Sequence, residues 1–433
     1  MKNFYKLSKS VLFAIPFLTA QLVSAQVYEM GSGNSVNPSG ISDNGIVSLN
    51  NASNNHYIWS TTQGFTLIGS ITNDAAFAGT TKISGDGKKV SATVTNPASN
   101  QNEMSIYDVA TKTWKYLGGI RPNTSTQFLS TAYDISYDGS TVVGLSDIND
   151  QGAHGIKWDA TNGMKDLGST VPGRSSRANA INNDKTVVVG WQDIPGGDRT
   201  AVRWVNGAQE YIKHTNGDYL GEATAVSSDG KTLVGDYDFK PYVWNETTGF
   251  QEISHPDASP VLRGVAAAIS GDGKTVIGFF RAYALGVSNE GFIWTKEAGR
   301  KTLTEYVTNL GIDTKGIDLQ TPLTISKDGK KIAGVGVKNG DESVAFFIDL
   351  TSALATQSVE SKKLSIYPNP VKNILNINGA DRIESLEIYN MVGQKIKTIQ
   401  PTDNIEVSTL AKGTYILKIV NNNKTQNIKF IKE

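Results

Sequence analysis

Ile135-Ser136-Tyr137-Asp138-Gly139, followed at once by Thr141-Val142-Val143-Gly144, is one copy of a phrase that occurs seven times along the chain. The others are Ile41-Ser42-Asp43-Asn44-Gly45, Ile83-Ser84-Gly85-Asp86-Gly87, Ile181-Asn182-Asn183-Asp184-Lys185, Val226-Ser227-Ser228-Asp229-Gly230, Ile269-Ser270-Gly271-Asp272-Gly273 and Ile325-Ser326-Lys327-Asp328-Gly329. Successive anchors are 42, 52, 46, 45, 43 and 56 residues apart. In each copy the apolar residue ends a strand. Ser-x-Asp-Gly then makes a hairpin turn, in which Ser or Asn bonds back to the backbone and Gly takes the left-handed position.

The strand after the turn carries a small residue nine positions past the anchor, Gly in five copies (Gly144, Gly190, Gly235, Gly278, Gly334). Such a position implies close approach of two backbones. A third strand ends on a large residue: Trp59, Tyr107, Trp158, Trp204, Trp244, Trp294 and Ile348. A fourth follows a Gly-containing turn, as in Gly163-Met164-Lys165-Asp166-Leu167-Gly168. Four antiparallel strands per unit of about 45 residues, seven times over, predict an all-β seven-bladed β-propeller over 26–350. The seventh copy stops after its third strand, whereas Gln26-Val27-Tyr28-Glu29-Met30-Gly31 resembles a fourth one. Residues 27–31 are therefore expected to close the last blade and remove an open edge.

Outside the repeats lie two segments of different character. Residues 1–25 join Lys2, Lys6 and Lys9 to an apolar run too short to span a bilayer and end Val23-Ser24-Ala25, the pattern of a cleavable secretory signal. No later segment is apolar enough for a transmembrane span, so none is expected in the mature chain. After a linker at 351–362, alternating runs such as Leu386-Glu387-Ile388-Tyr389 and Tyr415-Ile416-Leu417-Lys418-Ile419 predict a small β-sandwich over 363–433.

The 433 residues hold 41 basic and 41 acidic side chains. With the leader at +3 and residues 363–433 at +4, neutrality leaves the middle at −7, which argues against nucleic acid or an anionic membrane as partner. Cysteine is absent, which excludes disulfides, thiolate metal sites and a cysteine nucleophile.

The repeats, with their Ile-Ser/Asn-x-x-Gly, Val-Val-Gly and aliphatic-x-Trp stations, resemble the HAF-type extracellular repeat. They are also similar to the repeats of TolB-like and WD-type propellers, although the Pro of the TolB phrase is missing in every copy. Both resemblances imply a propeller, and neither implies an activity. Tyr367-Pro368-Asn369-Pro370, Gly393, the strand with Gly413 and Tyr415, and the ending Lys429-Phe430-Ile431-Lys432 closely resemble the type A sorting domain of the type IX secretion system. Asn390 stands where that family more often has Asp. The resemblance implies a Bacteroidota source, export across both membranes with the type IX machinery as partner, and a protein that is secreted or anchored at the outer-membrane surface.

Chemistry is sparse. There is no His-Glu-x-x-His, no phosphate-binding Gly-rich loop and no Gly-x-Ser-x-Gly elbow. The four His residues fall at unlike stations, so no metal set, cofactor or catalytic residue is assigned. Ligand contacts are sought where the blades differ, in the loops after second strands and between blades: Trp191, Asp193, Asp236, Asp238, Phe280, Arg281 and Tyr283. Aromatic faces there would receive sugars or peptides, and Asp and Arg would orient them. The expected function is non-enzymatic binding of an extracellular glycan, peptide or protein. The alternative is a glycan-active hydrolase or lyase with carboxylates in the funnel. Residues 302–311 have helical spacing.

Overall fold

A computed structural model describes residues 26–33, 36–73, 78–121, 128–149, 152–284, 288–354, 365–379, 383–421 and 424–433. Residues 1–25, expected to form a leader, and most of 351–362, expected to form a linker, lie outside them. The chain is all-β and divides after Ala353 into two compact units, a seven-bladed β-propeller and a C-terminal β-sandwich.

Each blade is a four-stranded antiparallel sheet whose first strand is innermost. Blade 4 shows the pattern: Ser176–Ile181, Val187–Asp193, Arg199–Val205 and Ala208–Tyr211, hydrogen-bonded in that order. The seven inner strands contact one another in sequence, and Ile317–Ile325 of blade 7 meets Asn37–Ile41 of blade 1, so the ring is closed. The first described strand, Gln26–Ser32, pairs antiparallel with Glu342–Asp349 as the fourth strand of blade 7. The helix Leu303–Asn309 is capped by Thr302, whose hydroxyl accepts the Glu305 N–H, and buries Leu303 and Val307.

The repeated phrase has one local chemistry in every blade. In blade 3 the Ser136 hydroxyl donates to Asp138 (2.7 Å) and accepts the Thr141 N–H (3.1 Å), while Gly139 sits at φ 70°. Ser-Asp or Asn-Asp contacts of the same kind recur at Ser84, Asn182, Ser227, Ser270 and Ser326, and Ser42 makes one with Asn44. Lys185 replaces the Gly in blade 4 and adopts φ 68°. The turns are also tied to their neighbours: Asp43 N–H bonds to Gly85 C=O, Asp86 to Tyr137, Asn183 to Ser228, Ser228 to Gly271 and Gly271 to Lys327. Lys185 Nζ donates to Asp138 at 2.8 Å, joining blade 4 to blade 3, and Asp328 N–H returns to the Asp43 carboxylate at 2.9 Å, closing the circuit from blade 7 to blade 1.

A β-bulge interrupts six of the inner strands two residues before the anchor, as between Ala178 and Ala180 or Ala266 and Ala268. The repeated glycines stand against this kink. A Cβ on Gly144, Gly190, Gly235, Gly278 or Gly334 would lie 1.9–2.2 Å from a backbone carbonyl of the inner strand, so only glycine fits. The large residues ending third strands pack between blades: the Trp204 indole N–H donates to Leu167 C=O of the preceding blade at 2.9 Å.

In the tail a sheet of Ser365–Tyr367, Ile374–Asn378 and Asn404–Glu406 and a sheet of Lys395–Ile399, Ile383–Asn390, Gly413–Asn421 and Lys424–Lys432 enclose a core built from Leu375, Leu386, Leu417, Ile419 and Phe430. Alternation along these strands sends one set of side chains inward. Among the described residues no helix is long and apolar enough to cross a membrane.

Candidate functional site

The loops between second and third strands and those between blades share one end of the ring, opposite the Ser-x-Asp-Gly turns. At this mouth, blades 3, 4 and 5 contribute a cluster centred on Arg177. Its guanidinium donates to Glu222 and to Asn179 Oδ1 (2.7 Å), and lies over the rings of Tyr133 (4.5 Å) and Trp191 (5.2 Å). Arg199 also lies over Trp191, at 4.2 Å, and reaches Glu222 at 3.7 Å. Asn179 Nδ2 also donates to Glu222 (2.8 Å), so this carboxylate accepts from two side chains and pairs with a third at longer range.

Three of the residues singled out from sequence come together here. Trp191 is only 5 % exposed and lies against two guanidinium groups; its indole N–H has no acceptor among the described residues. It braces the mouth and offers no free face for stacking. Asp193 pairs in register with Arg199, and burial raises its carboxyl against the opposing pull of Arg199 and Arg174. Asp236 is the most perturbed acid of the cluster. Burial, helped by the negative charge of Glu222, pushes it up to about 6. Deep burial, reinforced by the same two acids, holds the Tyr242 hydroxyl well above its ordinary range.

The remaining candidates lie apart. Asp238 and Phe239 form the two-residue turn of blade 5, both at positive φ, and Asp238 is exposed. Arg263 of blade 6 lies over Phe239 (4.6 Å) and over Tyr283 (4.9 Å), which is 58 % exposed, and Arg281 is exposed in register with Arg263. These four form a rim of accessible aromatic and charged surface. Phe280 is fully buried against Phe292 and the His255 ring and belongs to the blade 6 core.

Arg177, Arg199, Glu222 and Tyr133 were not among the sequence candidates. A signal for two of them exists. Four residues before each anchor stand Asn37, Gly79, Thr131, Arg177, Glu222, Val265 and Thr321, so opposite charges occur there only in two consecutive blades. Among the described residues no group of three or more His, Asp or Glu side chains is arranged to hold a metal ion.

The sorting-motif residues all lie in the tail unit. Asn369 accepts the Ile431 N–H (2.8 Å) and donates to Lys429 C=O (3.2 Å), tying Tyr367-Pro368-Asn369-Pro370 to the last strand. The Asn390 side chain accepts the N–H groups of Val392 (3.2 Å) and Gln394 (2.9 Å), while Gly393 turns at φ 82°. An Asp at position 390 would accept the same pair, so Asn serves the turn equally. Gly413 begins the strand that carries Tyr415, whose ring stacks on Phe430 and whose hydroxyl donates to Ala411 C=O.

Residues 365–433 match the family described as "Secretion system C-terminal sorting domain". This tail assigns the chain to type IX export, to contact with that machinery, and to secretion or attachment at the cell surface. A stretch of 73 residues is 34% identical to Beta-agarase D of Zobellia galactanivorans, spanning 17% of this chain and 15% of the agarase. Among solved structures the chain is similar to the oligogalacturonate lyase in complex with manganese, at 13% identity and TM-score 0.47 over 76% of this chain and 94% of that one. It is also similar to TolB from Acinetobacter baumannii, at 11% identity and TM-score 0.40 over 75% and 78%. A chain of the mitotic checkpoint complex gives 15% identity and TM-score 0.42 over 80% and 98%.

Proposed function

We propose that this chain is an exported binding module whose propeller engages an extracellular glycan, peptide or protein on the face that carries the mouth and rim. The observation behind this reading is the convergence of unrepeated side chains from blades 3 to 6 on that one face, from Arg177 and Glu222 at the mouth to Arg263 and Tyr283 at the rim. The charges at the mouth are engaged with one another, which suits a rigid recognition surface; the exposed rings and guanidinium groups of the rim are the contact points. On this reading residues 1–25 are the cleaved leader, the repeats are of the HAF type, and the source is a member of the Bacteroidota.

A second reading, a glycan-active enzyme, is favoured by one observation. Asp236, held near 6 beside Glu222, is a carboxyl poised to exchange a proton near neutral pH. Full-length protein assayed on a panel of polysaccharides, for retention and for release of reducing or unsaturated ends, separates the two. Retention that falls in Tyr283→Ala and Arg263→Ala without turnover supports binding. Turnover abolished by Asp236→Asn in a folded protein overturns it in favour of the enzyme.

A further inference from the structure

The ring encloses an axial channel whose wall repeats a single station. The residue before each anchor is Gly40, Lys82, Asp134, Ala180, Ala225, Ala268 or Thr324, and all seven line the channel. Five are small and uncharged. The two exceptions, Lys82 and Asp134, stand in neighbouring blades. A third charge, Lys327, enters the same cavity from the turn of blade 7. In six blades a bulge precedes this station, Asp134 included, and the charges of Lys82, Asp134 and Lys327 are half-buried in the channel wall.

The acids do not neutralise the ammonium groups by contact. Asp134 accepts the Ile181 N–H at 2.9 Å, and Asp43, the other acid within electrostatic reach of Lys327, accepts the Tyr137 hydroxyl and the Asp328 N–H, both at 2.9 Å. Lys327 donates to Val226 C=O at 3.3 Å. For Lys82 Nζ, with three donors to satisfy, no hydrogen bond or ion pair is formed with any described residue. Burial draws both lysines below their ordinary range against the pull of Asp134, and the charge of Lys327 lowers Lys82 further. An ammonium group half-buried in a channel wall is stabilised by acceptor oxygens that enter the channel.

We propose that the channel is a binding site for a small monocarboxylate, held by Lys82 and Lys327 between the small residues of blades 4 to 6. Two cationic groups supply the attraction. Asp134 and Asp43 limit it, so that a monoanion is accepted and a dianion such as sulfate is repelled. The channel lies between the mouth and the turn circuit, and the inference does not depend on the mouth reading.

The test is thermal unfolding of the full mature chain across a concentration series of sodium acetate, with sodium chloride and sodium sulfate matched in ionic strength. Specific binding raises the midpoint by mass action. The expected result is a saturable rise in acetate above that in chloride or sulfate, with apparent affinity at least tenfold weaker in Lys82→Met and tighter in Asp134→Asn. Equal midpoints in acetate and chloride would overturn the site, as would an acetate response unchanged in Lys82→Met. Should Lys82→Met fail to fold, Asp134→Asn decides: tighter acetate binding sustains the proposal, and unchanged or weaker binding overturns it.

Discussion

Val27 lies in register opposite Ile348, and both are fully buried, so the two ends of the propeller sequence are joined within one sheet. Met30 of the same strand enters a core with Ala333, Ala345 and Phe347. The closure is thus sealed by apolar burial as well as by ladder hydrogen bonds.

Val27→Asp places an unpaired carboxylate at a fully buried position of the closing strand and is expected to cost on the order of 4 kcal/mol, read from urea unfolding at pH 7. Deleting residues 26–32 leaves Glu342–Asp349 as an open edge, which lowers the midpoint and makes the transition less cooperative. Unchanged cooperativity in the deletion would show that the seven blades hold their ring without this strand.

Gly190→Ala brings a methyl group to 1.9 Å from Arg177 C=O, a contact only backbone movement relieves. A loss of about 3 kcal/mol is expected, together with disturbance of the Arg177–Glu222 pair. Gly152→Ala, where the nearest atom lies at 3.5 Å, is the control and stays within about 0.5 kcal/mol of the parent.

His56 is buried as a neutral ring between the Thr81 hydroxyl and Thr93 C=O, both at 2.7 Å. Burial lowers it from 6.5 to about 4, with the Thr93 bond opposing. Because the unfolded chain takes up the proton first, the stability is complete above pH 6.5 and is lost as pH falls toward 4, by roughly 3 kcal/mol. His56→Gln flattens this slope; a parent and variant with parallel pH profiles would contradict the assignment.

Asp236 has the opposite sign. Its carboxyl is raised from 3.8 to about 6 in the folded state, so the native protein holds the proton more tightly and loses stability as pH rises from 4 through 6. Asp236→Asn is expected to stabilise the protein at pH 7 by up to about 3 kcal/mol and to have little effect below pH 4. Differential scanning calorimetry of the pair at pH 4 and pH 7 provides the comparison.

Removing residues 365–433 deletes the matched sorting domain and leaves the propeller unit whole. In the producing cell the truncated chain is expected to accumulate behind the outer membrane, measured by fractionation and immunoblot. Its appearance in the medium at parental levels would show that the tail is dispensable.

Blade number was legible because the repeat is local. A Ser, an Asp and a Gly within five residues make the turn by bonds among themselves, whatever surrounds them. The tail was legible for a similar reason, since alternation along one strand tells which side chains face inward. The site was only partly legible. Trp191, Asp193 and Asp236 meet at the mouth, but Phe280 is core, because the ring turns that side chain toward Phe292. Exposure is a property of the neighbouring blade, and no single repeat encodes it.

The seven units, their turns, the glycine nine residues past the anchor in five of them and the separate tail were set by the sequence, as consequences of contacts between residues close along the chain. Tertiary structure alone decided which stations face the axis. Closing the ring brings Lys82, Asp134 and Lys327 around one channel, and Arg177 against Glu222 at its mouth. Residues at equivalent stations are dozens of positions apart in the chain, and only the circular arrangement of blades places their charges within a common low-dielectric space.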